Sequence, residues 1–159
     1  NRSNEAKKAV EVKGNAAGIN FQFDKIEKIS NTLRSHYLVA LAKVEGKQTE
    51  MTKALFKAYF EEGKDINSIT ELKKIGEQTG LSSALLDNLD SIQENDLLPI
   101  VQAEEGFREL GITSVPSFVI ENQYLVQGAQ DPEVFVDVIN KIKNPQPESG
   151  CGCGPEGCC

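Results

Sequence analysis

Four cysteines lie in the last nine residues of the chain: Cys151, Cys153, Cys158 and Cys159. Thiols at this density do two kinds of chemistry. As thiolates they exchange with disulfides, or they hold soft metal ions such as zinc or Cu(I). Cys153 and Cys158 flank Gly154, Pro155, Glu156 and Gly157, a turn flexible enough to bring two Cα atoms within disulfide reach. Cys151 and Cys153 are too close for an unstrained bridge, and the adjacent pair Cys158–Cys159 would be strained. Three readings stay open, because spacing alone does not separate thiol roles. One is a redox pair, Cys153 with Cys158. Another is a metal site drawn from all four. The third is a solvent-exposed tail with incidental thiols.

Little else in the chain can do chemistry of this kind. There is one histidine among 159 residues, His36, and no tryptophan. A histidine-based triad or metal site therefore has a single residue to draw on. His36 reads either as a cleft residue or as a helix histidine satisfied by an ordinary hydrogen bond. The 24 acidic against 17 basic residues give a formal charge of −7, and with no basic block this argues against nucleic-acid binding. No apolar run has the length of a membrane span. Cysteine is missing from residues 1–150. A small secreted fold stapled by disulfides would spread its cysteines through the chain, so the expected setting is a reducing compartment, the cytoplasm.

The elements that must position these groups fall into two stretches. Apolar residues at helical spacing, every run but 82–89 closed by a glycine, predict helices over 3–17, 31–45, 47–62, 68–78, 82–89 and 95–110. Pro99 is expected in the first turn of the last of these. Between the first two, Ile19 to Phe23 alternates and predicts a short extended piece. Leu33, Tyr37, Leu38, Leu41 and Val44 form one apolar stripe. Met51, Leu55 and Tyr59 form another, with Phe56 and Phe60 also expected in the core. The period then changes. Ser117 to Glu121 and Tyr124 to Gln127 read as two antiparallel strands joined by a tight turn. Asp131-Pro132-Glu133 opens a final helix with Phe135, Val138, Ile139 and Ile142 on its apolar stripe. Residues 144–150 have linker composition.

Two strands alone are marginal in water, and Phe118, Val119 and Leu125 are too apolar for a free hairpin. No other strand candidate lies between residues 24 and 110. The partner strands are therefore expected upstream of Asn1. The chain also opens without Met and without a targeting pattern, and so reads as the middle of a longer protein.

The run Ser114-Val115-Pro116-Ser117-Phe118-Val119-Ile120, followed by Tyr124 and by Gly128-Ala129-Gln130, resembles the DsbA-like thiol–disulfide oxidoreductases of the FrnE type. The helical stretch is similar to them as well, through Asn31-Thr32 with His36, then Ala54 to Phe60 and Gly63 to Ile66. Ser117 stands where that family often has an aromatic residue. The resemblance implies an α/β, thioredoxin-like fold with a large all-helical insert. Residues 1–110 would be mainly insert, 111–143 the C-terminal ββα half, and 144–159 a flexible cysteine-rich tail. It further implies a cis bond at Val115–Pro116. Ser114, Val115 and Pro116, together with His36, would then bind substrate.

In that family the reactive dithiol is a Cys-x-x-Cys at the start of the first helix, where the helix N-terminus lowers a thiol pKa. No such motif occurs in residues 1–150, so the dithiol is expected upstream and the present chain is expected to be inactive alone. Cys153 and Cys158 would exchange electrons with that upstream site, with no cofactor. The partners would be protein or small-molecule thiols and disulfides. Two other readings remain. Kappa-class-like transferases and isomerases use a similar fold and would bind glutathione against the same proline. A non-enzymatic binding module would act through tail metal ligands Cys151, Cys153, Cys158 and Cys159.

Overall fold

The computed structural model describes residues 2–27 and 29–145. The chain divides into two compact units at Glu104/Glu105.

The first unit is helical: α1 (Arg2–Ala16), α2 (Leu33–Val44), α3 (Gln48–Phe60), α4 (Ile69–Gln78), the single-turn α5 (Ser83–Leu86) and the start of α6 (Glu94–Glu109). The stretch expected as one helix over 82–89 is α5 followed by a 3-10 turn, Asp87–Leu89. Gly46 shows how α2 gives way to α3. Its φ of +69° is open to glycine without a Cβ penalty. Gly46 and Lys47 then donate their N–H groups back to the Lys43 and Ala42 carbonyls at 3.1 and 2.9 Å, satisfying the end of α2 while the chain reverses.

The reversal lets two apolar stripes meet. Leu38 and Ala42 of α2, Met51, Leu55 and Ala58 of α3, and Leu72 and Ile75 of α4 form one core with Ile66, Leu81, Leu86 and Leu89. Leu38, Met51, Leu72 and Leu89 are wholly excluded from solvent, each burial stabilising the unit by roughly 1.5–3 kcal/mol before chain entropy is counted. Gly76 makes room for Leu86. A Cβ at that position would lie 2.3 Å from Leu86 Cδ2.

Several expectations need correction here. Residues 19–23 form no strand: the segment ends in a 3-10 turn at Phe23–Lys25. Its alternation serves a different purpose. Phe21 and Phe23 stack at 5.2 Å and both present to the edge of Phe60, at 5.7 and 6.4 Å. Gln22 N–H donates to the Phe60 carbonyl at 2.8 Å, so the segment is docked on α3. Phe56 reaches Phe60 at 6.1 Å but is 60% exposed, and Val44 lies outside the core at 76%. Helix α6 begins at Glu94, with Gln93 N–H donating to Asp96 Oδ2 at 2.8 Å, half of a capping box. Pro99 therefore falls in the second turn, where its missing N–H leaves the Asn95 carbonyl without the usual helical donor.

The second unit holds the end of α6, strands β1 (Ser117–Ile120) and β2 (Tyr124–Gln127), and α7 (Pro132–Lys143). The strands pair antiparallel, Ser117 opposite Gln127 and Ile120 opposite Tyr124. Strand β1 stops one residue short of Glu121 because Glu121 and Asn122 both take left-handed φ values, 52° and 54°, and Gln123 N–H closes the turn on the Ile120 carbonyl at 3.1 Å. The register puts Phe118, Ile120, Tyr124 and Val126 on one face. Phe118 meets Phe135 of α7 edge-on at 5.0 Å, and Val126 is buried. The other face carries Ser117, Val119, Leu125 and Gln127, and Val119 is 56% exposed. Among the described residues this sheet has two strands.

Candidate functional site

The segment between α6 and β1 is built from its two ends. At the helix end, Gly111 has φ +78°. Gly111 and Ile112 donate to the Arg108 and Phe107 carbonyls at 2.9 and 3.0 Å, which closes the helix and turns the chain out of its axis. At the strand end, the Val115–Pro116 peptide is cis, and the Pro116 carbonyl accepts Gly128 N–H at 2.7 Å. Ser117 Oγ donates to the Ser114 carbonyl at 2.5 Å.

Between the ends lies an uncharged arm, Ile112 to Pro116, held by the side chain of Gln127 as well as by that of Ser117. Gln127 Oε1 accepts Thr113 N–H at 3.0 Å and lies 3.5 Å from Ser114 Oγ. The Gln127 Nε2 donates to the Gly111 carbonyl at 3.2 Å. Gln130 Nε2 in turn donates to the Gln127 carbonyl at 2.8 Å. The arm is fixed while its tip is open. Val115 is 91% exposed, and Ser114 and Pro116 are exposed too. The N–H groups of Ser114 and Val115 and the Val115 carbonyl have no hydrogen-bond partner among the described residues. A short, pinned, unpaired length of backbone is what an extended polypeptide adds to in strand pairing. The arm carries no titratable or nucleophilic side chain apart from hydroxyls, so it can recognise and orient but not by itself exchange sulfur bonds.

Of the residues singled out from sequence, Ser114, Val115 and Pro116 thus stand together. His36 belongs to the first unit, exposed on α2, its backbone N–H donating to the Thr32 carbonyl at 2.9 Å. The helix is anchored at that end by a polar patch. Ser35 Oγ donates to the Ile66 carbonyl at 2.6 Å, Arg34 Nη1 to the Asn67 carbonyl at 3.3 Å, and Ser30 Oγ to Asp65 Oδ1 at 3.0 Å. Next to His36, the Tyr37 phenol is pushed up from its ordinary pKa, first by desolvation and then by the Asp96 carboxylate. Cys151, Cys153, Cys158 and Cys159 lie outside the described residues, and with them both the redox-pair and the metal readings of the tail. Among the described residues no group of His, Cys, Asp or Glu is arranged to hold a metal ion.

Gln127 is the residue that sequence reasoning missed. It reads as the polar last residue of a strand, and only the register, which sets it across from Ser117, brings it to the arm. The signal available was a long amide side chain directly before Gly128, where the strand must turn away.

A family model described as a DSBA-like thioredoxin domain matches residues 1–140. The uncharacterized protein YwbO of Bacillus subtilis is 31% identical over 102 residues, which is 62% of this chain and 49% of that protein. The chain thus spans about half the length of this curated relative. A crystal structure of a probable DsbA oxidoreductase from Streptomyces coelicolor superposes with a TM-score of 0.78 at 22% identity, over 99% of this chain and 69% of that one. At that identity the likeness is one of fold.

Proposed function

This chain belongs to the DSBA-like thioredoxin domain family, and on that premise we propose that it is the substrate-presenting part of a thiol–disulfide oxidoreductase of the FrnE type. Its fold is the thioredoxin type with a helical insert. The reacting dithiol is a Cys-x-x-Cys outside these residues. One of its thiolates attacks a substrate disulfide. A new S–S bond forms to enzyme, the substrate S–S bond breaks, and the departing sulfur leaves as a thiolate that takes up a proton. The substrate, now in mixed disulfide, lies extended along Ser114 and Val115. The second enzyme thiolate attacks the enzyme sulfur, releasing reduced substrate and leaving the enzyme pair oxidised. Cys153 and Cys158 then reduce that pair by the same exchange, becoming a disulfide themselves, and are reduced in turn by small cytoplasmic thiols.

One observation carries the reading: the backbone of Ser114–Val115 is open to pairing while the arm that bears it is pinned at Gly111, Thr113 and Pro116. Residues 1–150 contain no cysteine, so the reacting dithiol of this reading lies outside them. The test is insulin reduction by the complete gene product with glutathione as reductant. Catalysis above the thiol-only rate supports the reading. Background rate, with glutathione-dependent isomerase or transferase activity in its place, replaces it.

A further inference from the structure

We propose that Gln127 is a positioning residue for disulfide exchange, fixing the arm so that Ser114 and Val115 meet an extended polypeptide in a single conformation. This rests on the functional reading above and goes beyond it by naming what sets the substrate class.

The argument is geometric. The arm leaves α6 at Gly111 and joins β1 at Ser117, so Ile112 to Pro116 have no ladder of their own. An unpaired segment of that length samples many backbone states, and a substrate that pairs with it must first select one. Gln127 restricts that freedom at the middle of the arm with one planar amide. It accepts from Thr113 N–H on one side and donates to the Gly111 carbonyl on the other, at 3.0 and 3.2 Å. Because Gln127 is itself the ladder partner of Ser117, the arm is referenced to the strand that continues it. The Ser117 hydroxyl on the Ser114 carbonyl and the Gln130 amide on the Gln127 carbonyl fix the two ends of the same frame. These bonds engage the N–H of Thr113 and the carbonyls of Gly111 and Ser114. They leave open the N–H groups of Ser114 and Val115 and the Val115 carbonyl, the ones a substrate strand would use. The device therefore favours a polypeptide disulfide over a small one. A small aromatic disulfide makes no backbone pairing and has nothing to gain from an ordered arm.

The test uses the complete protein with three side chains at position 127: wild type, Gln127→Met and Gln127→Glu. Methionine keeps the length and loses both hydrogen bonds. Glutamate keeps the acceptor for Thr113 and loses the donor to Gly111. In Gln127→Met, amide exchange of Thr113 accelerates and KM for an oxidised polypeptide such as insulin rises at least about five-fold, as expected when two hydrogen bonds that hold the arm are lost. Its kcat, and the rate with a small aromatic disulfide, stay at the wild-type values. In Gln127→Glu, Thr113 protection returns and KM recovers in part. Equal slowing on both disulfides, or an unchanged KM despite lost Thr113 protection, would overturn the assignment, as would Thr113 exchange that ignores the substitution. Absence of exchange by the wild type on either disulfide would instead remove the functional reading itself, with Thr113 exchange still reporting whether the latch exists.

Discussion

Gln127 and Thr113 stand fourteen residues apart in sequence and meet across the base of the hairpin, the Thr113 amide donating to Gln127 Oε1 at 3.0 Å. This contact makes the loop before Pro116 a defined surface. It couples strand pairing to presentation: anything that shifts the Ser117–Gln127 register moves the arm as well. The stability of the second unit therefore bears on the conformation of the arm, and Phe135 tests it. Phe135→Ala removes the edge-on ring contact with Phe118 and is expected to destabilise the hairpin by at least about 1 kcal/mol. Faster amide exchange at Val126 and Thr113 together is the readout.

The helical core should behave differently from its rim. Leu72→Ala empties a fully buried position and is expected to cost about 2–5 kcal/mol. Phe56→Ser removes a ring that is mostly exposed, and surface changes of this sort stay within about 0.5 kcal/mol. Urea unfolding of the two variants compares them directly.

Two glycines with the same φ of +69° should differ. At Gly46 a Cβ meets nothing within 4 Å, so Gly46→Ala carries only the left-handed penalty of roughly 1 kcal/mol. At Gly63 a Cβ would lie 2.7 Å from the Lys25 carbonyl oxygen. Backbone must move there, and the expected loss is roughly 2 kcal/mol or more. Thermal melts of both variants rank them.

Glu45 gives a pH-dependent contact between α2 and the start of α5. Its carboxylate accepts Ser82 N–H at 3.3 and 3.4 Å and pairs with Lys47 at 3.6 Å. Hydrogen bonding from Ser82 holds its pKa below the ordinary 4.5 against the opposing effect of desolvation, and the charge of Lys47 adds a lesser lowering. A lowered folded-state pKa means the contribution is complete above the unfolded value and is lost as pH falls through the folded one. Glu45→Gln should thus differ from wild type in urea midpoint at neutral pH, and the difference should vanish in acid.

The proposed role of the tail is tested by the choice of reductant. With glutathione as the sole reductant, Cys153→Ser should slow insulin reduction. With dithiothreitol, which reaches the enzyme disulfide unaided, the variant should match wild type. Equal rates under both conditions would take the tail pair out of the cycle.

The helices were legible because their stripes are long and their ends are marked by glycines such as Gly46, Gly80 and Gly111, which the structure places at positive φ. The segment Ser114–Pro116 was singled out through its resemblance to a family pattern. What misled was local likeness between different structures. Phe21 and Phe23 alternate as strand residues do, yet they stack on each other and meet Phe60 edge-on. Phe56 follows the helical period of its neighbours but falls on the solvent edge of the stripe. Gln127 could not be found from sequence, because its role depends on a register formed between β1 and β2 and on the exit angle of α6.

The most direct measurement of the central claim is amide exchange at Val115 in a trapped mixed disulfide. The complete protein, with the resolving cysteine of the proposed dithiol replaced by serine, is linked to a cysteine-containing extended polypeptide, and exchange at Val115 is compared with that of the unlinked protein. Strand pairing at the arm predicts that the exposed Val115 N–H becomes protected on linkage. Exchange at Val115 that stays as fast in the linked as in the unlinked protein would contradict the account.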